Sequence, residues 1–290
     1  MSVQLVGGTK EMITLKFRTV SLFVAVIAIV SMVGEGRLTG QSPAGPGPLG
    51  GFPWVRTGGP LGGLGYDIRM HPGNPDLMYV TDAQAGPHRS VNGGQTWLPI
   101  NQGIVDRSGG SGDSIPVFSL TIDPNVPDIL WAGLQGITGI YRSANGGESW
   151  EKRVNGIIEP EGLTIRSVTV QPGSSQVVYA GGEITSGAWA GVNMPGKEFD
   201  RVQGVVYKSI DAGLNWQVIL RAQNLVRYVL IDPTDVNILY AATGIFDREA
   251  SNSDPTTNTA GGVGILKSTD GGASWAPVNP ESPIYFRGTR

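Results

Sequence analysis

Two stretches of the chain mix aromatic and charged side chains in a way that suits recognition of a polar ligand. The first is Glu183 to Gly204, EITSGAWAGVNMPGKEFDRVQG, and the second is Ile245 to Gly262, IFDREASNSDPTTNTAGG. Trp189 or Phe199 offers a flat apolar face on which a sugar ring can stack. Glu183, Asp200, Arg201, Asp247, Arg248 and Glu249 can bond hydroxyls or a carboxylate. One apolar surface with a few converging polar groups is a common design for such sites. The same residue types also populate ordinary surface loops, so what distinguishes these two stretches is where the fold places them.

Other chemistry has little to work with. His71 and His88 are isolated, and the chain has no Cys, which removes disulfides and thiolate ligands and leaves no metal-ligand spacing. The many glycines fall in turns rather than in a phosphate-binding loop. A formal net charge of -3 without a Lys/Arg run gives no electrostatic reason for a nucleic-acid partner. No cofactor is implied.

The elements that position the two stretches follow from a repeat. The pattern S-x-[DN]-x-G-x-x-W occurs four times. Its fixed residues are Ser90, Asn92, Gly94 and Trp97; Ser143, Asn145, Gly147 and Trp150; Ser209, Asp211, Gly213 and Trp216; and Ser268, Asp270, Gly272 and Trp275. Each is a hairpin turn in chemical terms: Asn or Asp bonds nearby amides, Gly permits positive φ, and Trp begins the returning strand. Upstream of each lies an apolar run ending in x-Pro (Pro72, Pro124, Pro172, Pro233), then a second run around an aromatic residue. A third ends in a basic residue just before the turn: Arg89, Arg142, Lys208 or Lys267. Four sequential strands per unit, called A to D outward from an axis, predict an all-β propeller of four-stranded antiparallel blades. The blades fall at about 64–100, 116–154, 165–220 and 226–279. With 44 Gly, 20 Pro and 40% hydrophobic residues, many short strands are expected and few helices.

Because strands alternate in direction, the A-B and C-D turns share one face and the B-C and D-A connections the other. From landmark Pro to turn Ser the spacing is 90 − 72 = 18, 143 − 124 = 19, 209 − 172 = 37 and 268 − 233 = 35. Blades three and four therefore carry long B-C insertions, the two stretches named above. Variable loops on one face of a rigid scaffold mark a binding surface, opposite the repeated turns.

These turns and their flanking strands resemble the Asp-box, or BNR, repeat family over about Phe52 to Val278. That family is shared by sialidases, xyloglucan-cleaving glycoside hydrolases, sortilin-type receptors and photosystem II assembly factors. The resemblance implies the fold and leaves activity open. Around GGLGYDIRMHPGNPDLMYVTDAQAG the chain looks like the start of the xyloglucan-cleaving enzymes, and the family's first-blade catalytic Asp maps to Asp82. In such enzymes a carboxylate pair hydrolyses the glycosidic bond. The partner Asp belongs to a later domain, so no complete catalytic set is visible, and a turn- or loop-capping role is the better reading of Asp82. No Arg-Ile-Pro motif of sialidases occurs. The expectation is a glycan-binding or glycoside-hydrolase-like propeller whose partner is a polysaccharide or glycoconjugate. The alternative is a noncatalytic scaffold binding a protein.

Residues 1–40 read as an address: Lys10, Lys16 and Arg18 precede the uncharged apolar run Val20 to Val33. That run is shorter than the roughly 20 residues of a comfortable membrane span, which favours a cleaved export signal over an anchor. A secreted or periplasmic location is expected, with a membrane anchor as the alternative. Residues 41–51 form a Pro/Gly linker before the propeller of 52–290, and 52–57 read as an extra outer strand around Trp54. The last unit already has its own D strand at Trp275, so this extra strand predicts an incomplete ring: a truncated sequence, imperfect closure or self-association.

Overall fold

The structure, a computed structural model, describes residues 3–6, 12–15, 65–82, 84–159, 161–193, 202–222, 224–244 and 264–278. The chain divides into two compact units, Met1–Arg56 and Thr57–Arg290. In the first, β1 (Val3–Val6) and β2 (Met12–Leu15) form an antiparallel pair inside the segment read as an export signal. The apolar run of that signal, the linker and the extra outer strand lie outside the described residues. Among the described residues no helix is long and apolar enough to cross a membrane.

The second unit is the expected all-β propeller, with four antiparallel four-stranded sheets whose strands pair in chain order. Blade one holds β3 (Gly65–His71), β4 (Asn74–Asp82), β5 (Gly86–Ser90) and β6 (Leu98–Pro99). Blade two holds β7 (Val117–Ile122), β8 (Leu130–Leu134), β9 (Ile140–Ser143) and β10 (Glu151–Lys152). In blade three, β11 (Leu163–Gln171), β12 (Ser174–Thr185), β13 (Val202–Ser209) and β14 (Gln217–Ala222) enclose a five-residue helix, α1 (Ser186–Ala190). Blade four holds β15 (Val226–Ile231), β16 (Leu239–Thr243), β17 (Ile265–Ser268) and β18 (Ala276–Pro277).

Two expectations need correction. The D strand starts one residue after the turn Trp rather than on it. Blade three runs from Leu163 to Ala222, and within it β12 and β13 stay paired out to Thr185 opposite Val202, so the insertion read as 183–204 narrows to 186–201.

Among the described residues the core is split into three clusters, each between successive blades. Tyr79, Ile100 and Trp150 belong to the first, Trp131, Val178 and Trp216 to the second, and Tyr179, Val206 and Leu239 to the third. The inner strands β3, β7, β11 and β15 lie side by side. They are also stitched by hydroxyls: Ser119 donates to the Ile165 carbonyl (2.9 Å), Thr121 to Val168 (2.6 Å) and Thr169 to Val229 (2.6 Å).

The repeated turns add a latch between blades. Within each turn the Ser hydroxyl accepts two amides, as Ser143 does from Asn145 (3.3 Å) and Gly147 (2.9 Å). In blades two and three the turn Trp also reaches into the preceding blade. Trp150 donates its amide to the Gln102 carbonyl and its indole to Ile100, and Trp216 does the same to Asn155 and Arg153. Gly156, at φ 87°, lies so close beneath Trp216 that a Cβ would strike the Trp216 carbonyl. In blades one and three the basic residue before the turn works in the other direction. Arg89 donates to Gly146 of the next blade's turn (3.2 Å) and Lys208 to Gly271 (2.8 Å), while Arg142 stands 5.9 Å over Trp131.

Candidate functional site

Every inner strand carries a β-bulge near its start, at the end where the B-C and D-A connections meet. The register slips between Gly65 and Asp67, Val117 and Ser119, Ile165 and Ser167, and Val226 and Tyr228. The extra residues are Tyr66, Phe118, Arg166 and Arg227. Each stands six positions before its landmark Pro: 72 − 66, 124 − 118, 172 − 166 and 233 − 227. A bulge re-aims a side chain, and bulges concentrate beside functional sites.

Three of the four residues meet across blades one to three. The Tyr66 and Phe118 rings lie 4.3 Å apart at 31°, and the Arg166 guanidinium stands 5.0 Å over Phe118. Arg166 in turn grips Glu183 in a bidentate pair, Nε to Oε2 at 2.5 Å and Nη2 to Oε1 at 2.8 Å. Tyr66 donates its hydroxyl to Gln135 (3.3 Å). The two rings are half-buried, whereas the ion pair is nearly sealed, with side chains 8% and 9% exposed. Desolvated, bidentate and charge-assisted, that pair fixes the guanidinium plane against the ring. In blade four, Arg227 stands 5.5 Å over the neighbouring Tyr228 ring.

Carboxylates in the D-A connections brace this end of the fold. Asp106 accepts from Tyr141 (2.6 Å) and Lys152 (2.9 Å), and Glu159 accepts from Tyr207 and from Arg221 (2.5 Å). Burial, and then Asp106, push the Tyr141 phenol up to about 12. Burial opposes ionisation of Glu159, but the hydrogen bonds from Tyr207 and Arg221 outweigh it and hold the carboxyl below its ordinary range. The result is a neutral phenol bonded to a carboxylate in each connection, which suits bracing rather than nucleophilic attack.

Asp82 ends β4, 3% exposed, and its Oδ1 accepts the amides of Gln84 (2.9 Å) and Ala85 (3.1 Å), closing the B-C turn of blade one. It borders a cavity of about 330 Å3 together with Tyr66 and Asp67. Asp67 accepts the Leu120 amide (3.1 Å) and Arg69 (2.9 Å). Burial raises the Asp67 carboxyl above its ordinary value, against the opposing pull of those two partners. Two carboxylates of blade one thus border one cavity, the first capping a turn and the second tied to blade two.

Glu183, expected on a loop, lies within β12 opposite Thr164 and Gly204, and its carboxylate is engaged by Arg166. Trp189 falls in α1. The side chain of Trp189 lies outside the described residues, as do Phe199, Asp200, Arg201, Asp247, Arg248 and Glu249. The residues of the four repeated turns form the opposite face, as their place between strands C and D requires. Tyr66, Phe118 and Arg166 escaped the sequence reading, although their constant spacing to the landmark Pro was a usable signal.

No family model matches the chain. It is 25% identical over 281 residues, 89% of its length, to xyloglucanase Xgh74A of Acetivibrio thermocellus. It is likewise 25% identical over 293 residues, 91% of its length, to a xyloglucanase of Paenibacillus sp. Those matches span 30% and 26% of the relatives' own lengths. Among solved structures it is similar to an ancestral GH74 enzyme, with TM-score 0.52 and 21% identity over 75% of this chain and 25% of that one. The GH74 xyloglucanase from Xanthomonas campestris gives 0.50 and 18%, over 72% and 29%. The chain is a β-propeller, alike in fold to these enzymes, and it spans less than a third of the length of the curated relatives it matches.

Proposed function

We propose that this chain is an exported, glycoside-hydrolase-like Asp-box propeller that binds a polysaccharide across the face bearing its B-C and D-A connections. The observation that carries this reading is the Tyr66–Phe118 pair, two half-buried rings set by bulges at the mouth of the inner strands. Such rings offer stacking area to sugar faces, and the half-buried Gln135 beside them suits a hydroxyl group. The likeness to xyloglucanases over 89% of the chain supports a β-glucan type of ligand, with xyloglucan first among them. The basic residues ahead of the apolar run Val20 to Val33 support export. Hydrolysis requires a second, free carboxylate opposite Asp82, and Asp67 is held by Arg69 and the Leu120 amide. Binding is therefore the activity proposed for the described residues, and cleavage is decided by the assay below.

A panel of xyloglucan, mixed-linkage glucan, mannan and a sialylated glycoprotein, assayed for both binding and reducing-end release, tests this. Expected is glucan binding that falls about tenfold in a Tyr66→Ala/Phe118→Ala variant, the loss of roughly 1.4 kcal/mol. Trp189→Ala measures what the blade-three insertion adds. Reducing-end release abolished by Asp82→Ala would show that the chain cleaves its ligand through Asp82. Silence toward every glycan would overturn the polysaccharide reading and favour a protein-binding scaffold.

A further inference from the structure

At two successive junctions one backbone arrangement is built with two different side chains. Trp150 donates its amide to the Gln102 carbonyl and Trp216 to the Asn155 carbonyl, each at 2.9 Å. In both places a glycine follows the acceptor, Gly103 at φ 91° and Gly156 at φ 87°, because a Cβ there would strike the Trp carbonyl. The glycine that admits Trp216 therefore leaves an Asn–Gly pair. Such a pair can close on itself: the Gly amide nitrogen reaches the Asn side-chain carbonyl in a five-membered ring, and no side chain on Gly obstructs it. Gln102 carries one more methylene, so the same closure there needs a six-membered ring and one more frozen bond rotation.

The chain has three Asn–Gly pairs, at 92–93, 145–146 and 155–156. The first two are locked inside repeated turns. Asn92 Oδ1 accepts the Ser90 hydroxyl and the Thr96 amide, and Asn145 Oδ1 accepts those of Ser143 and Ser149. Their nucleophiles are occupied as well, since the Gly93 and Gly146 amides donate to the Asp76 (3.0 Å) and Asp128 (2.8 Å) carbonyls. At the third pair both residues are exposed, and among the described residues nothing accepts from the Gly156 amide. Its turn is closed instead by Ile157, which donates to Val154 (3.0 Å). The Asn155 side chain has one tether, from Nδ2 to Asn215 Oδ1 (2.5 Å) at the surface.

We propose that Asn155–Gly156 is a site of spontaneous deamidation that cuts the latch between blades two and three. The Gly156 nitrogen bonds to Asn155 Cγ and gives up its proton, the side-chain nitrogen leaves as ammonia, and a succinimide results. Water then opens the ring at either carbonyl, giving an aspartyl or an isoaspartyl linkage. Ring closure requires the peptide plane between Asn155 and Gly156 to turn, so the Trp216 amide must first release the Asn155 carbonyl. Each closure therefore follows an opening of this junction. The isoaspartyl product has an extra methylene in the main chain and a free carboxylate in place of the amide that bonded Asn215, so the latch does not re-form.

Ageing the folded full chain in warm, mildly alkaline buffer, followed by tryptic mass spectrometry, tests this. Trypsin places each pair on its own peptide: Ser90–Arg107, Ser143–Lys152 and Val154–Arg166. The mass gain of NH2 replaced by OH, with isoaspartyl labelling by a methyltransferase, should accrue on Val154–Arg166 about tenfold or more faster than on the other two, which must first release several hydrogen bonds. In chain unfolded by urea the three pairs should convert at similar rates. Asn155→Gln, which copies Gln102 of the preceding junction, should abolish the gain on its peptide. The aged parent should lose hydrogen-exchange protection at the Trp216 amide, and the aged Asn155→Gln variant should keep it. Conversion of Asn155 no faster than that of Asn92 and Asn145 in the folded chain overturns the inference. So does conversion that leaves the Trp216 amide protected.

Discussion

At Glu183 a binding role and a structural role make different demands. A carboxylate that greets a ligand is dispensable to the fold, whereas one that neutralises a guanidinium 8% exposed is not. Removing one member of a buried pair typically costs about 3–5 kcal/mol, because the other is left charged in a poorly solvated site. Glu183→Gln is therefore expected to lower the unfolding free energy by about 3 kcal/mol or more, read by denaturant titration, before any ligand is added. A variant of unchanged stability would mean that the pair is solvated and return Glu183 to the ligand face. The sequence made Glu183 visible as a charge beside an insertion, but its partner Arg166 is 17 positions away and one strand over. Tyr66, Phe118 and Arg166 were hidden for a related reason: a bulged residue breaks the period-two alternation by which strands are read, so it registers as noise.

At the scale of the element, the repeated turns were legible because Ser, Asn or Asp, Gly and Trp each answer a local need that no distant contact overrides. Strand ends were less so. Gly204 was read as the end of the insertion, yet it sits inside β13, and Gly182 inside β12, where a Cβ would strike the carbonyls of Asn224 and Thr164. The turns also differ in how they respond to acid. Blades three and four use Asp211 and Asp270, blades one and two Asn92 and Asn145. Asp270 is held down to about 2 from its ordinary 3.8, chiefly by the Ser274 hydroxyl and amide, and Asp211 is lowered chiefly by Asn215. A folded-state value below the unfolded one contributes stability that is complete above the unfolded value and lost as pH falls through the folded one. The turns of blades three and four should thus weaken between about pH 4 and pH 2, the Asn turns not at all. An Asp211→Asn/Asp270→Asn variant is expected to show a smaller drop in thermal midpoint than the parent over that window. Parallel curves would mean that these carboxylates titrate alike in the folded and unfolded chains.

For the molecule as a whole, the decisive feature is that the apolar cores of the described residues lie between successive blades. Stability in such an arrangement is close to a sum of blade terms and nearest-neighbour terms. Each junction depends on few groups. Trp216, 2% exposed, packs edge-on against Trp131 at 6.2 Å and donates to Arg153, tying blade three to blade two. Trp150, 5% exposed, donates to Ile100 and ties blade two to blade one. Truncating a buried Trp costs about 3–5 kcal/mol, enough to open one junction while its neighbours hold. Hydrogen exchange read by mass spectrometry should therefore respond by position. In Trp150→Ala the amides of β3 to β5 should lose protection ahead of the rest. In Trp216→Ala the loss should centre on β8 and β12 to β14, where blades two and three face each other. The Gly pattern points the same way, since Gly103 and Gly156 admit these two Trp backbones at matching places in successive blades. Equal loss of protection in all four blades after either substitution would mean that the blades unfold as one cooperative unit. The junctions would then be steps of a single core.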